Sequence, residues 1–319
     1  MSEGHGQSTP RIDDDEGLRF DPPDDPPPVV SLVTHGGPLR SFIDNLARLV
    51  DEARFRFTDD GLRVNAVDAA NVCMTRQEWP ASAFGSYQLN SDDNRAVIGM
   101  PLHLEGGGDH GDLRRATKYA RRGRGSKQGD PVRLDIYDDG SECRVRVAIL
   151  RPDQLTKRVS MFYSIDSAML RDDPDGLNAT LDYRADPAPD VLHDVVQSLD
   201  DYQHAHIGAD GRTLVVGTQA SANPYLDADD EVLTADSVEL PNRAWSILDS
   251  DGLVDDFDGS LFSLSYLELI TGALDDVEAS RQTLSFDDEM PLKAEWQNTD
   301  WGIEGMHMVA PRIGKSDDD

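Results

Sequence analysis

The chain has 319 residues, 38% of them hydrophobic, with 61 acids against 30 bases and a formal net charge of −31. That length has room for two domains with separate cores. Two cysteines, Cys73 and Cys143, exclude a disulfide framework; no apolar run is long enough for a membrane span, and no signal-peptide core opens the chain, so a soluble, cytoplasmic protein is expected. The acids are 48 Asp and 13 Glu, and the bases 25 Arg and 5 Lys. Periodic apolar patterns run beneath this charge, so a folded protein with an Asp-coated surface is expected rather than a disordered one. Such a coat suits a high-salt cytoplasm, where a Debye length of about 3 Å or less screens self-repulsion.

Residues 1–28 are rich in Asp, Pro, Gly and Ser, and the run Asp21-Pro-Pro-Asp-Asp-Pro-Pro-Pro28 allows neither a helix nor a central strand. A disordered tail is expected there, and a polar tail at 314–319. Between them lies an internal repeat. Pro38–Glu52 places Leu39, Phe42, Ile43, Leu46, Leu49 and Val50 on one helical face. Two alternating strands around Asp60-Gly61 follow, a hairpin pattern. Asp112–Arg122 reads as a second helix, followed by a hairpin at Asp139-Gly140.

About 150 residues after the first helix the order recurs. Ala188–Asp201 reads as a helix with Val191, Leu192, Val195, Val196 and Leu199 on one face, followed by a hairpin at Asp210-Gly211. Ser263–Asp275 reads as the next helix, followed by a hairpin near Asp288-Glu289. The expected fold class is therefore α+β: two similar domains, each with two helices packed on antiparallel strands. The expected bounds are 29–165 and 179–313, joined by a charged connector at 166–178.

Arg54–Tyr87 carries the turn Gly61, the segment Asp68-Ala-Ala-Asn-Val72, an alternating strand from Cys73 to Trp79, and an aromatic end at Phe84 and Tyr87. This stretch resembles the first domain of DNA polymerase sliding clamps of the proliferating cell nuclear antigen (PCNA) family. Ser265–Gln297 resembles the family's final helix and strands, and Met306–Ile313 its closing strand. The resemblance runs from about 29 to 315 and is weak over 97–151 and 217–253. It implies a trimer of six DNA-clamp domains around a hole lined by helices. It also implies no catalysis, no cofactor and no metal, and a role as a processivity factor in DNA replication and repair.

A ring that slides on DNA needs phosphate contacts without base readout. Seven bases fall between Asp112 and Lys127: Arg114, Arg115, Lys118, Arg121, Arg122, Arg124 and Lys127. Arg114, Lys118, Arg121 and Arg122 follow helical spacing and form a stripe, and Arg40 and Arg48 add two bases from the first helix. These positions, Lys127 apart, are the candidate DNA contacts. The second domain's helices are poor in bases: Asp190, His193 and Asp194 occupy a polar face, and bound cations bridging acids to phosphates are one way such a face could meet DNA.

The resemblance further implies a pocket for the short peptides of polymerases and other clamp-binding proteins. Val67, Val72, Met74, Pro291, Met308, Ala310 and Pro311 would line it, with Met169 and Leu170 of the connector over it. Met308 stands where an aromatic is common, and Met suits varied partners. A clamp loader is an implied partner. Ring closure would pair Lys157–Ile165 with Glu231–Glu239 of the next copy, covering strand edges that are otherwise an aggregation liability.

Other signals are weaker. His204 and His206 share a strand face without an evident third metal ligand. Gly106–Gly111 lacks a P-loop ending, and Asp227–Asp230 lacks EF-hand spacing. The alternatives are a clamp paralogue within a heterotrimer or from a virus or plasmid, and a metal-dependent hydrolase using Asp clusters with His204 and His206.

Overall fold

The structure is a computed structural model that describes residues 27–91, 93–103, 111–123, 129–138, 142–170, 181, 183–199, 202–210, 213–217, 237–240, 260–287 and 289–312. Residues 1–26 of the expected tail at 1–28, the tail at 314–319, Gly106–His110, Arg124, Lys127, residues 171–178 of the connector, Asp227–Asp230, residues 231–236 and the expected turn residues Asp139, Gly140, Gly211 and Asp288 lie outside them. The chain divides into two compact units, Met1–Ile43 with Asp51–Arg63 and Trp79–Leu170, and Asp44–Val50 with Val64–Glu78 and Arg171–Asp319.

The first unit holds a five-stranded antiparallel sheet in the order β5-β1-β7-β8-β9. Its strands are β1 (Val30–His35), β5 (Ser86–Leu89), β7 (Pro131–Asp138), β8 (Cys143–Arg151) and β9 (Thr156–Tyr163). Strand β2 (Glu52–Thr58) pairs with β6 (Arg95–Pro101), Phe55 opposite Ile98. The turn after β2 occupies Asp59 and Asp60, and Gly61 opens β3 (Gly61–Val67). Gly61 has φ +136, and a Cβ there would lie 2.3 Å from the Trp79 carbonyl oxygen, so only glycine fits. Phe42, Phe55, Phe57, Trp79, Phe84 and Tyr87 form a continuous series of ring contacts with centroids 4.5 to 6.4 Å apart. The alternation of β2 and the helical spacing of Phe42 deliver these rings to one core.

Helix α1 (Gly36–Leu49) begins two residues earlier and ends three residues earlier than the apolar pattern predicts. Pro38 fits its first turn, where a missing N–H costs nothing. Leu39, Phe42, Ile43 and Leu46 are all buried, as the spacing requires.

The second basic helix is shorter than its sequence suggests. Helix α2 spans only Leu113–Thr117, with Asp112 as N-cap accepting from the Arg115 N–H at 2.6 Å. The expected extension to Arg122 fails for a local reason. The Arg121 N–H donates to Asp130 Oδ2 at 2.9 Å, and the Asp130 N–H returns to the Arg121 carbonyl at 3.1 Å. These bonds turn the chain toward β7 instead of prolonging the helix, so Arg114, Lys118, Arg121 and Arg122 do not share one helical stripe.

The second unit holds β4 (Cys73–Pro80, through Glu78), β10 (Tyr183–Ala185), β15 (Arg281–Phe286), β16 (Leu292–Asn298) and β17 (Ile303–Val309). Within it β10, β15, β16, β17 and β4 are successive antiparallel neighbours. A separate four-stranded sheet has the order β13-β12-β11-β14, from Ser237–Leu240, Thr213–Gly217, His204–Asp210 and Ser260–Ser263. Helices α3 (Pro189–Gln197) and α4 (Leu264–Asp276) pack together. Helix α3 is shorter than the expected Ala188–Asp201, with Ala188 as its N-cap and Pro189 in its first turn. Of the face that the spacing marks on α3, Leu192, Val195 and Val196 are buried and Val191 is half-buried, and α4 buries Leu267, Ile270 and Leu274.

Candidate nucleic-acid interface

Helix α2 and the turn after it concentrate positive charge in the first unit. Arg114, Arg115, Lys118, Arg121 and Arg122 are all exposed. Lys118 Nζ lies 5.0 Å from the centre of the Tyr119 ring, and the Arg158 guanidinium carbon lies 3.3 Å from the same centre. Arg158 on β9 thus joins the cluster. Sequence spacing did not single it out, because only the fold brings it to Tyr119.

Three other candidates are already engaged. Arg40 Nη1 donates to the Ala120 carbonyl at 3.1 Å, tying α1 to the basic turn. Arg48 Nε meets Asp276 Oδ2 at 2.5 Å, a pairing that raises its pKa. Arg121 donates from both outer nitrogens to Asp153, at 2.8 and 2.7 Å, and from Nε to Asp130 at 2.9 Å. Arg114, Arg115, Lys118, Arg121 and Arg122 make up the exposed set, Arg121 held in ion pairs with Asp130 and Asp153.

In the second unit Asp194 is exposed on α3, and His193 Nδ1 lies 3.2 Å from Thr271 Oγ1 on α4.

The peptide-site candidates fall in two groups. In the second unit, Met74 and Met308 are cross-strand partners on β4 and β17, 9% and 2% exposed. The Ala310 N–H donates to the Val72 carbonyl at 2.8 Å, and Leu292, next to Pro291, pairs with Val309. Val67, Val72, Pro291, Ala310 and Pro311 are half-buried. Val72, Met74, Met308, Ala310 and Pro291 therefore gather at one end of this sheet. In the first unit, Arg54 Nη2 donates to the Ser167 and Leu170 carbonyls at 2.7 and 3.0 Å. It pins the turn that buries Leu170 and leaves Met169 80% exposed.

Asp68 shapes the turn between β3 and β4. Its Oδ1 accepts from Val72 and Cys73 N–H groups, both at 2.7 Å, and its Oδ2 accepts from Ala70 N–H and the Tyr266 hydroxyl. Burial pushes the carboxyl pKa up, but the Tyr266 and backbone donors outweigh it and hold it below the ordinary value. Burial pushes the neighbouring Cys73 thiol up to about 12, so it is an unreactive core side chain. Sequence reading placed Asp68 in a motif but did not show what it holds.

His204 contacts the Arg312 guanidinium, and its pKa is lowered by burial and then by that charge. A guanidinium against the imidazole opposes a cation there. Among the described residues no group of three His, Cys, Asp or Glu side chains could hold a metal. Among them, too, no helix is long and apolar enough to cross a membrane.

The architecture defines a class: repeated α+β units, each with helices packed on antiparallel sheets, in the fold of a DNA sliding clamp. No family model matches the chain. Over 295 residues it is 28% identical to the DNA polymerase sliding clamp of Natronomonas pharaonis, covering 89% of this chain and 97% of that protein. It is 26% identical to the DNA polymerase sliding clamp of Haloarcula marismortui, with 89% and 99% coverage. Among solved structures, PCNA of A. fulgidus bound to the C-terminal region of FEN-1 superposes with a TM-score of 0.67 at 17% identity, covering 90% of this chain and 100% of that chain. A chain of the PCNA2–PCNA3 complex of Sulfolobus tokodaii gives 0.66 at 18% identity, covering 88% and 99%. Over nearly its whole length the chain is therefore similar to DNA polymerase sliding clamps, and its fold is that of PCNA structures.

Proposed function

We propose that this protein is a non-enzymatic processivity factor that encircles duplex DNA and tethers a replicative polymerase and other replication and repair enzymes. The observation that carries this reading is the whole-length likeness to sliding clamps, 89% of this chain against 97% of the Natronomonas relative. In this reading 29–165 and 179–313 are the two clamp domains, and three copies make the ring. The protein works in a high-salt cytoplasm, consistent with its Asp-rich surface and with its salt-loving relatives.

Ring closure uses β9 and β13, edge strands of two sheets among the described residues. Val159, Met161 and Tyr163 on β9 are 45%, 54% and 56% exposed, an apolar row beside an edge strand. Because both edges belong to one chain, a head-to-tail contact can close on identical copies, which favours a homotrimer. DNA contact is assigned to Arg114, Arg115, Lys118 and Arg122, with contributions from Arg40, Arg48, Arg121 and Arg124. Partner peptides and a clamp loader engage the sheet end at Val72, Met74, Met308 and Ala310, helped by Val67, Pro291 and Pro311.

Light scattering in high salt, followed by primer extension with a cognate polymerase, tests the reading. A mass near three chains and longer products are expected. A monomer that leaves product length unchanged overturns it. Charge reversal at Arg114, Lys118 and Arg121 is expected to shorten products; unchanged processivity removes the DNA-contact assignment alone.

A further inference from the structure

Arg121 is held by two carboxylates in different settings. Asp130 is buried and anchors the near side: its Oδ1 takes Nε at 2.9 Å and Nη2 at 2.7 Å, while its Oδ2 takes the Arg121 backbone N–H and Arg151 Nε. Asp153, in the 3-10 turn Pro152–Gln154, takes the outward fork, its two oxygens bonding Nη1 and Nη2 in parallel. The Arg121 and Asp153 side chains are 47% and 55% exposed, so this pair faces solvent. Two parallel N–H···O bonds to a planar fork are the geometry by which arginine takes either a carboxylate or a phosphate.

We propose that Asp153 is an internal substitute for a DNA phosphate, occupying Arg121 until a backbone phosphate displaces it. The inference rests on the reading of the α2 segment as the DNA-facing surface. Asp130 keeps the guanidinium aimed whichever oxyanion holds the fork. Exchange of carboxylate for phosphate conserves the number of charge-assisted bonds, so each phosphate contact gains little and breaks easily. That suits a ring that slides, and it makes Asp153 a brake on DNA affinity.

The test uses the full chain and a short fluorescent duplex, with binding followed by anisotropy across the salt range in which circular dichroism shows an intact fold. D153N is expected to bind roughly tenfold more tightly at the lowest such salt, with a log–log salt slope steeper by about 0.9, one more phosphate neutralised. D153E keeps a competing carboxylate and stays near wild type. Adding R121Q to D153N abolishes the gain. Unchanged affinity and slope in D153N, while R114Q/R115Q weakens binding, overturns the role of Asp153 and leaves the DNA surface standing. A zero salt slope in wild type, D153N and R114Q/R115Q alike overturns both. A gain in D153N that survives R121Q also overturns the proposal, since the removed charge then acts without the fork.

Discussion

The Tyr266 hydroxyl donates to Asp68 Oδ2 at 2.6 Å, tying helix α4 to the turn between β3 and β4 across 198 residues of sequence. Asp68 is 7% exposed and also holds three backbone N–H groups of that turn. Losing one hydrogen bond to a charged group costs about 1.5–3 kcal/mol. Y266F should fall in that range and D68N at or above its upper end, because the amide cannot accept from every donor. Urea unfolding in high salt measures both.

The same carboxylate sets an acid limb of stability. Its folded pKa is lowered, so its contribution is present above the unfolded carboxylate value and is lost as pH falls through the folded one. A D68N chain should lack that limb. Stability of wild type and variant converging toward the lowest pH at which both fold is the expected pattern.

His307 gives a second pH dependence of different origin. Its ring stacks on Trp296 at 6.1 Å, and its Nε2 lies 3.3 Å from Asn45 Nδ2, which also donates to the Ala273 carbonyl at 2.6 Å. Gln77 donates to the other end of the same Asn45 amide. Asn45 Nδ2 is a donor, so Nε2 accepts and the ring proton belongs on Nδ1. Burial pushes the imidazole pKa down to about 3. The folded state therefore holds His307 neutral while the unfolded chain protonates it below about 6.5. Its stabilisation is full above that value and declines by about 1.4 kcal/mol per pH unit as pH falls toward 3. H307Q should flatten the slope of unfolding free energy over this interval.

What the sequence could disclose was set by the range of the interactions involved. Helix α1 and the β2–β3 hairpin were legible because Leu39, Phe42, Ile43 and Leu46 repeat at helical spacing and Gly61 marks a position closed to any Cβ. The end of α2 was not legible, since it depends on Asp130 capturing the Arg121 N–H from nine residues away. The basic charge of the α2 segment could be counted, but not its distribution. Asp153 and Asp276 engage two of the candidate arginines, while Arg158 joins the cluster through Tyr119 from a strand with no helical periodicity. Met74 and Met308, assigned to the proposed peptide site, were placed by resemblance; their cross-strand pairing is a matter of register.

The apolar row on β9 makes a distinct prediction for assembly. Val159, Met161 and Tyr163 alternate along an edge strand and remain exposed in the single chain. A charge placed there would be buried without a partner when copies meet, which is strongly disfavoured. M161D should shift the mass in high salt from three chains toward one while leaving the circular dichroism spectrum of the folded chain in place. A trimer of undiminished stability in M161D would remove β9 from the interface.

Salt should govern this protein more than temperature does. A net charge of −31 places acids within reach of one another over much of the surface. At about 1 M salt the Debye length is near 3 Å and these charges act almost independently; at about 0.1 M it is near 10 Å and they repel over the span of neighbouring side chains. The folded chain concentrates that charge and the unfolded chain disperses it, so dilution of salt favours unfolding. The ion pairs respond in the opposite sense: Arg121 with Asp153 and Arg48 with Asp276 strengthen as screening falls. Exposed pairs are worth at most about 1 kcal/mol each, too little to offset the summed repulsion of an excess of 31 acids. The midpoint of thermal unfolding should therefore fall steadily on dialysis from molar to tenth-molar salt. A midpoint that holds constant or rises over that range would show that the Asp coat is not an adaptation to salt.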